Sequence, residues 1–264
     1  MTFIQQLLIA VIQGITEFLP ISSSGHLILI PKLTELPDQG PMIDVAVHIG
    51  SLLAIIIYFW RDVRGLAQGG FATVGIGKNP AQRNLFLWII IGTIPAVIVG
   101  FIFKSNDMLE SFRSTHLVAV NLIIYGILLG IADRFGKEDR VYEDMTLRHS
   151  IIIGCTQALA LIPGTSRSGV TMTAARFLGY KRIEAARFSF LLSIPAVAGA
   201  GTLAALDLAD ATAQMQWDAI VTGALTFVAA FATMAFLMNF LRKATMMVFV
   251  VYRVLLGIVL LMFF

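Results

Sequence analysis

Apolar residues fall in six long runs, at about 43–60, 84–103, 116–133, 183–206, 218–241 and 245–264. Each approaches the ~20 residues that carry a helix across a bilayer. Two further apolar regions are interrupted. Residues 3–33 break at Pro20 and the Ser22, Ser23, Ser24, Gly25 cluster, and residues 149–179 break at Pro163 and the cluster from Thr165 to Gly169. Each half of these regions is too short to cross comfortably, so both read as re-entrant helix–loop–helix hairpins. Irregular backbone is tolerated at membrane depth only inside protein or around a cavity. The pattern predicts an all-α polytopic membrane protein: six transmembrane helices plus two hairpins in a single membrane domain.

Composition agrees. Of 264 residues, 58% are hydrophobic and 13% charged, against roughly 25% charged in a soluble domain. The start Met1, Thr2, Phe3, Ile4 lacks a basic segment and a small-residue cleavage site, so no signal peptide is expected. The lone Cys155 excludes an intramolecular disulfide and a cysteine metal cluster. No glycine-rich nucleotide loop or HExxH pattern occurs, and nucleic acid is not an expected partner.

Charge sets the orientation. If loops 61–83, 134–148, 176–187 and 242–243 face the cytoplasm, they hold fourteen Lys and Arg, and the opposite loops 31–42, 104–115 and 207–217 hold three. That is a strong positive-inside bias, and the Lys181-Arg182 and Arg242-Lys243 pairs read first as topology signals. A single crossing by 149–179 would reverse every later loop and weaken the bias, so the hairpin reading is preferred. Each half is then one hairpin and three spans. Three is odd, so the second half (about 147–264) is inverted relative to the first (about 1–134). The segments QGITEFLPISSSG at 13–25 and QALALIPGTSRSG at 157–169 echo each other. Inverted repeats with broken helices place their sites near the midplane where the repeats meet, so the two polar clusters should face each other.

Chemistry concentrates in those clusters. Arg167 lies inside an apolar chain, where an arginine costs ~2.5–3.5 kcal/mol even on the lenient insertion scale; it must line a cavity or meet a partner. Thr165, Ser166, Ser168 and Thr171 surround it, and Gly164 and Gly169 allow close approach of a ligand, which suits an anion. In the first cluster Gln13 and Glu17 share a helix face. Intramembrane carboxylates are usually functional, and an amide with a carboxylate offers hard oxygens suited to magnesium or calcium. Ser22, Ser23 and Ser24 suit helix capping or an anion site, and His26 can attack or shuttle protons. An ion pair between Arg167 and Glu17 would stitch the repeats together. Asp44 and His48, four apart, either support the site or merely hydrogen-bond. His116 and His149 sit at span ends in interfacial roles. Arg253, beside Tyr252, either snorkels or pairs with a carboxylate.

QGITEFLPISSSGH at 13–26 together with PGTSRSG at 163–169 resembles the undecaprenyl-diphosphatase family, also called bacitracin-resistance proteins. The likeness extends over nearly the whole chain, including Asp144, Met145, Thr146 and the late Tyr252-Arg253 pair. It implies hydrolysis of undecaprenyl diphosphate to undecaprenyl phosphate, which recycles the lipid carrier for peptidoglycan and removes the target of bacitracin. By the resemblance the metal-binding Glu/Gln-xxx-Glu motif falls on Gln13 and Glu17, and the active-site histidine on His26. The hydroxyl cluster falls on Ser22, Ser23 and Ser24, and the phosphate-binding motif on Ser166, Arg167, Ser168 and Thr171. Many relatives carry Glu where this chain has Gln13, and a neutral ligand binds a divalent cation more weakly.

The expected catalytic groups are Glu17, His26, Ser23 and Arg167. Gln13, Ser22, Ser24, Thr165, Ser166, Ser168, Gly169 and Thr171 are expected to hold substrate. His26 is favoured as nucleophile or acid–base, with Ser23 its nearest rival and water activated by Glu17 a third option. The expected partners are a polyprenyl diphosphate lipid and the bilayer, and a homodimer is compatible with both. The expected setting is a bacterial inner membrane, with the site open to the periplasm. A rival reading is a polyprenyl-phosphate transporter, which inverted repeats also suit. A second rival, the membrane lipid phosphatases with SGH and SR elements, wants a histidine soon after Ser166-Arg167, and none follows.

Overall fold

The computed structural model describes residues 1–27, 40–77, 79–106, 108, 112, 114–209 and 211–263, with backbone alone at 41 and 200–209. Lys32, Lys78 and Arg113, counted in the loop charges, lie outside the described residues. Ten α-helices and one short 3-10 turn are present among the described residues. The first hairpin is α1 (Phe3–Thr16) followed by a helical turn that begins at Ser23; three helices follow, α2 (Pro41–Tyr58), α4 (Pro80–Ser105) and α5 (Thr115–Phe135). The second hairpin is α6 (Leu147–Leu159) and α7 (Arg167–Phe177), followed by α8 (Arg182–Ala209), α9 (Ala213–Phe240) and α10 (Met247–Phe263). Each of the six expected spans therefore coincides with a helix over most of its described residues. Helices α4, α5 and α9 are each long and apolar enough to cross a membrane, and α2 also qualifies when joined to its bent neighbour.

Starts are set by side-chain caps. Thr2, Asn79, Ser114, Thr146 and Thr212 each accept a hydrogen bond from an N–H in the first turn of α1, α4, α5, α6 and α9, as orphan amides at helix starts require. Among the described residues one α-helix was not expected, α3 (Trp60–Thr73), which leaves α2 at 89° across a break at Phe59. It exposes Trp60 and Phe71 together with Arg61 and Arg64, a mixture of large apolar and basic side chains that suits a helix lying in the membrane–water interface.

Packing partners exchange between the halves. Helix α1 lies on α9, as α6 lies on α4; α2 meets α9, as α8 meets α4; α2 meets α8 and α5 meets α10. Glycines permit two of these approaches. A Cβ on Gly14 would stand 2.6 Å from the Ala229 Cβ, and one on Gly154 would stand 2.2 Å from the Gly92 carbonyl oxygen, distances no side chain tolerates. Large apolar side chains cover the outside, Phe101, Phe135, Trp217 and Phe236 among them, as lipid contact demands.

The loop end of the bundle is tied by charge. Asp133 at the end of α5 takes Arg182 at 2.6 Å and Arg176 at 3.5 Å, and Glu138 takes both arginines as well. Arg182 thus fastens α8 to α5. His149 bonds to the Tyr180 hydroxyl at 2.8 Å, and burial pushes that phenol up to about 12, so it stays protonated and donates to the Asp144 carbonyl. His149 has the bland role expected of it, and His116 is exposed.

Candidate active site at the hairpin tips

The two tips repeat one backbone device. Ser22 and Ser166 have φ of 76° and 73°, and they are the only non-glycine residues with positive φ among those described. Left-handed backbone is costly for serine and persists where the surroundings over-determine it. Ser22 Oγ accepts from Gly25 N at 3.4 Å, and Ser166 Oγ accepts from Gly169 N at 3.1 Å. The Ser22–Ser24 and Ser166–Ser168 hydroxyl pairs are both 3.4 Å apart. These positions coincide when the two sequence echoes are superposed.

The tips meet. Ser168 Oγ donates to the Leu19 carbonyl at 3.2 Å, and Arg167 Nη2 donates to Glu17 Oε1 at 2.7 Å with both side chains largely buried. The expected ion pair between the repeats is therefore present. Glu17 is the C-cap of α1 and Arg167 the first residue of α7. Helix ends favour the opposite charge at each place, so local helix stability does not explain either residue. The other Glu17 oxygen, Oε2, accepts from Ser23 Oγ at 2.8 Å and Gln13 Nε2 at 3.2 Å. Gln13 Oε1, Arg167 Nη1 and Thr165 Oγ1 are buried without a partner. Gln13 and Arg167 thus each bond to the Glu17 carboxylate through one atom and hold a second polar atom unused.

Other expected site residues lie differently. His26 touches neither Glu17 nor Arg167 through a hydrogen bond: its Nδ1 bonds to the Ser22 carbonyl at 2.7 Å and its Nε2 to the Tyr252 hydroxyl at 2.6 Å. Ser23, not His26, is the hydroxyl or imidazole on Glu17. Thr171 turns away from the tip, onto Ser189 of α8 at 2.6 Å and the Arg167 carbonyl at 2.8 Å. Gly169 is held close, since a Cβ there would fall 2.7 Å from Arg253 Nη1. His48 bonds to the Asp44 carbonyl of its own helix at 2.6 Å.

Arg253 overturns both expectations made for it. It is fully buried, so it does not snorkel, and it pairs with no carboxylate among the described residues. Its guanidinium donates to the carbonyls of Pro20, Leu122, Asn121, Gly164 and Thr165. Asn121 adds a bond to the Pro163 carbonyl at 2.8 Å. Carbonyls carry no mark in a sequence; the only available signal was a cation deep in an apolar run.

No group of three or more His, Cys, Asp or Glu side chains stands close enough to hold a metal among the described residues. The donor set still fits magnesium, which binds through one or two carboxylates plus substrate phosphates and keeps water. Gln13 Oε1 is the orphaned oxygen beside the Glu17 carboxylate.

The sequence profile of bacitracin resistance protein BacA matches residues 6–259. An undecaprenyl-diphosphatase of Erythrobacter litoralis is 61% identical, with both chains covered in full. Undecaprenyl-diphosphatases of Alteromonas mediterranea and Hahella chejuensis are 47% and 48% identical, covering 100% and 97% of this chain and 99% and 96% of their own. With the tips, their echoing serines and the late Tyr252-Arg253 pair all in place, the chain belongs to the bacitracin resistance protein BacA family.

Proposed function

We propose that the hairpin junction hydrolyses undecaprenyl diphosphate to undecaprenyl phosphate and inorganic phosphate. The observation that carries this reading is the Ser23–Glu17–Arg167 chain, with an unused guanidinium nitrogen at one end and an unused amide oxygen beside it. A diphosphate offers Arg167 a stronger partner than one carboxylate. As the guanidinium turns to phosphate, Glu17 Oε1 is released, while Oε2 remains the acceptor for the Ser23 hydroxyl already donating to it.

Ser23 Oγ then attacks the terminal phosphorus and its proton passes to Glu17. The bridging P–O bond breaks, and its electron pair leaves with undecaprenyl phosphate. Water next attacks the phosphoserine and yields a proton to His26, while Ser23 recovers its own from Glu17 and inorganic phosphate departs. Transfer of this kind is driven mainly by positioning and charge neutralisation. Gln13 and Glu17 would hold the divalent cation, which supplies neutralisation of phosphate charge. The serine-rich tip amides and Arg167 hold the remaining oxygens.

We place the chain in a bacterial inner membrane with the first hairpin open to the periplasm, as the loop charges favour. Arg167→Ala, Glu17→Ala and His26→Ala are each expected to lower phosphate release in detergent at least about a hundredfold. Near-wild-type turnover in any of them removes that residue from the chemistry. Reconstituted vesicles that move lipid phosphate without releasing phosphate would favour the transporter instead.

A further inference from the structure

The histidine of the first tip has a partner that the mechanism does not use. His26 Nδ1 faces the Ser22 carbonyl at 2.7 Å, and the same carbonyl takes the His26 backbone N–H at 3.3 Å. A carbonyl only accepts, so Nδ1 carries the proton and the lone pair of the neutral ring is on Nε2. Tyr252 Oη stands 2.6 Å from Nε2 and therefore donates to it. The two rings lie stacked, with centroids 5.8 Å apart and planes inclined by 8°. Tyr252 belongs to α10, more than two hundred residues away in sequence.

Arg253, the next residue, is locked to carbonyls of both tips, which fixes the backbone that presents Tyr252. Arg253 is also the charged group of α10 whose field reaches His26. Beside Gly25, α5 presents the apolar Val118, 3.2 Å from where a Gly25 Cβ would stand.

We infer that Tyr252 is the positioning residue of His26: its hydroxyl and ring hold Nε2 in the one orientation from which it can take a proton from water at the phosphorylated Ser23. The ring of Tyr252 is 42% exposed, so it stands at the edge of the site, where the hydroxyl can swing from Nε2 as water arrives. This inference rests on the phosphatase reading.

Its test uses the full chain in detergent and one probe, diethyl pyrocarbonate, which modifies unprotonated imidazole nitrogen. In Tyr252→Phe the ring stack is kept and the donor is lost. Carbethoxylation of His26, read by peptide mass spectrometry against the exposed His116, should speed up about fivefold, the factor that one hydrogen bond of ordinary net strength supplies. In the same variant kcat should fall about tenfold with KM within about twofold of wild type, because orientation is lost and not binding.

Tyr252→Gln, which restores a donor without the ring, should slow the modification again and recover part of kcat. An unchanged modification rate at His26 in Tyr252→Phe overturns the inference, as does a loss confined to KM. If Tyr252→Phe melts early, the Gln variant carries the comparison, and rapid modification of His26 in it overturns the inference equally. Modification needs no turnover, so a wild-type chain that releases no phosphate defeats the phosphatase reading alone.

Discussion

The two hairpin tips share a backbone and differ in charge. Each has a left-handed serine that caps the following turn and a second hydroxyl two residues on. Yet Glu17 in the first tip corresponds to Leu161 in the second, and Ser23 corresponds to Arg167. The repeated part supplies a scaffold on which a chain can turn back inside the membrane. The unrepeated part supplies one acid and one base, facing each other at 2.7 Å. Chemistry on the lipid required the tips to diverge where they touch and to stay alike where they are held.

The largest expected effect comes from exchanging the two charges. Glu17→Arg with Arg167→Glu keeps an ion pair but moves the cation to Gln13 and Ser23. Phosphate release should fall about a thousandfold or more, with the detergent unfolding temperature little changed. Retained activity would mean that the pair is only a strut.

A second test removes the fastening common to both tips. Arg253→Met leaves five buried carbonyls without their donor, and it should cost at least about 3 kcal/mol of stability, read as a lowered unfolding temperature before any activity is measured. A variant as stable as the wild type would show that the tips hold themselves together.

The smallest effects sharpen the comparison most. Gln13 and Gln157 are buried equivalents, but Gln13 bonds to Glu17 while neither amide atom of Gln157 has a partner. Gln157→Leu should change stability by less than about 1 kcal/mol, because no hydrogen bond is lost. Gln13→Glu should lower the magnesium concentration for half-maximal release several-fold, since a charged oxygen replaces a neutral one. If Gln157→Leu is as damaging to turnover as Gln13→Leu, the two tips are functionally closer than their charges indicate.

The spans and both tips were legible because Pro20, Pro163 and the serine clusters interrupt otherwise unbroken apolar runs, and lipid tolerates no casual interruption. The Arg167–Glu17 pair was legible for the same reason: two costly charges in one membrane must find each other. Helix α3 was hidden in a basic loop with Gly65, Gly69 and Gly70, residues that read as breakers although Gly69 lets α3 close against α4. The partners of Arg253 and the turning of Thr171 toward Ser189 were not legible, since a carbonyl or a serine on a distant helix leaves no periodic signal. The placement of Ser23 rather than His26 on Glu17 depends on the path of the chain around Pro20, which spacing alone does not give.

Arg253 also carries a consequence for how the protein is made. It comes from α10, the last of the described helices, yet it gathers carbonyls from a loop near the start and another past the middle of the chain. Chains emerge from the ribosome N-terminus first. Both tips are therefore in the membrane before the side chain that binds them together has been synthesised. Until that helix arrives, only the Arg167–Glu17 pair and the bond from Ser168 to the Leu19 carbonyl join the two tips among the described residues. The tips thus receive their shared fastening last: a chain stalled before Arg253 lacks the five carbonyl bonds that tie both tips and α5 to α10.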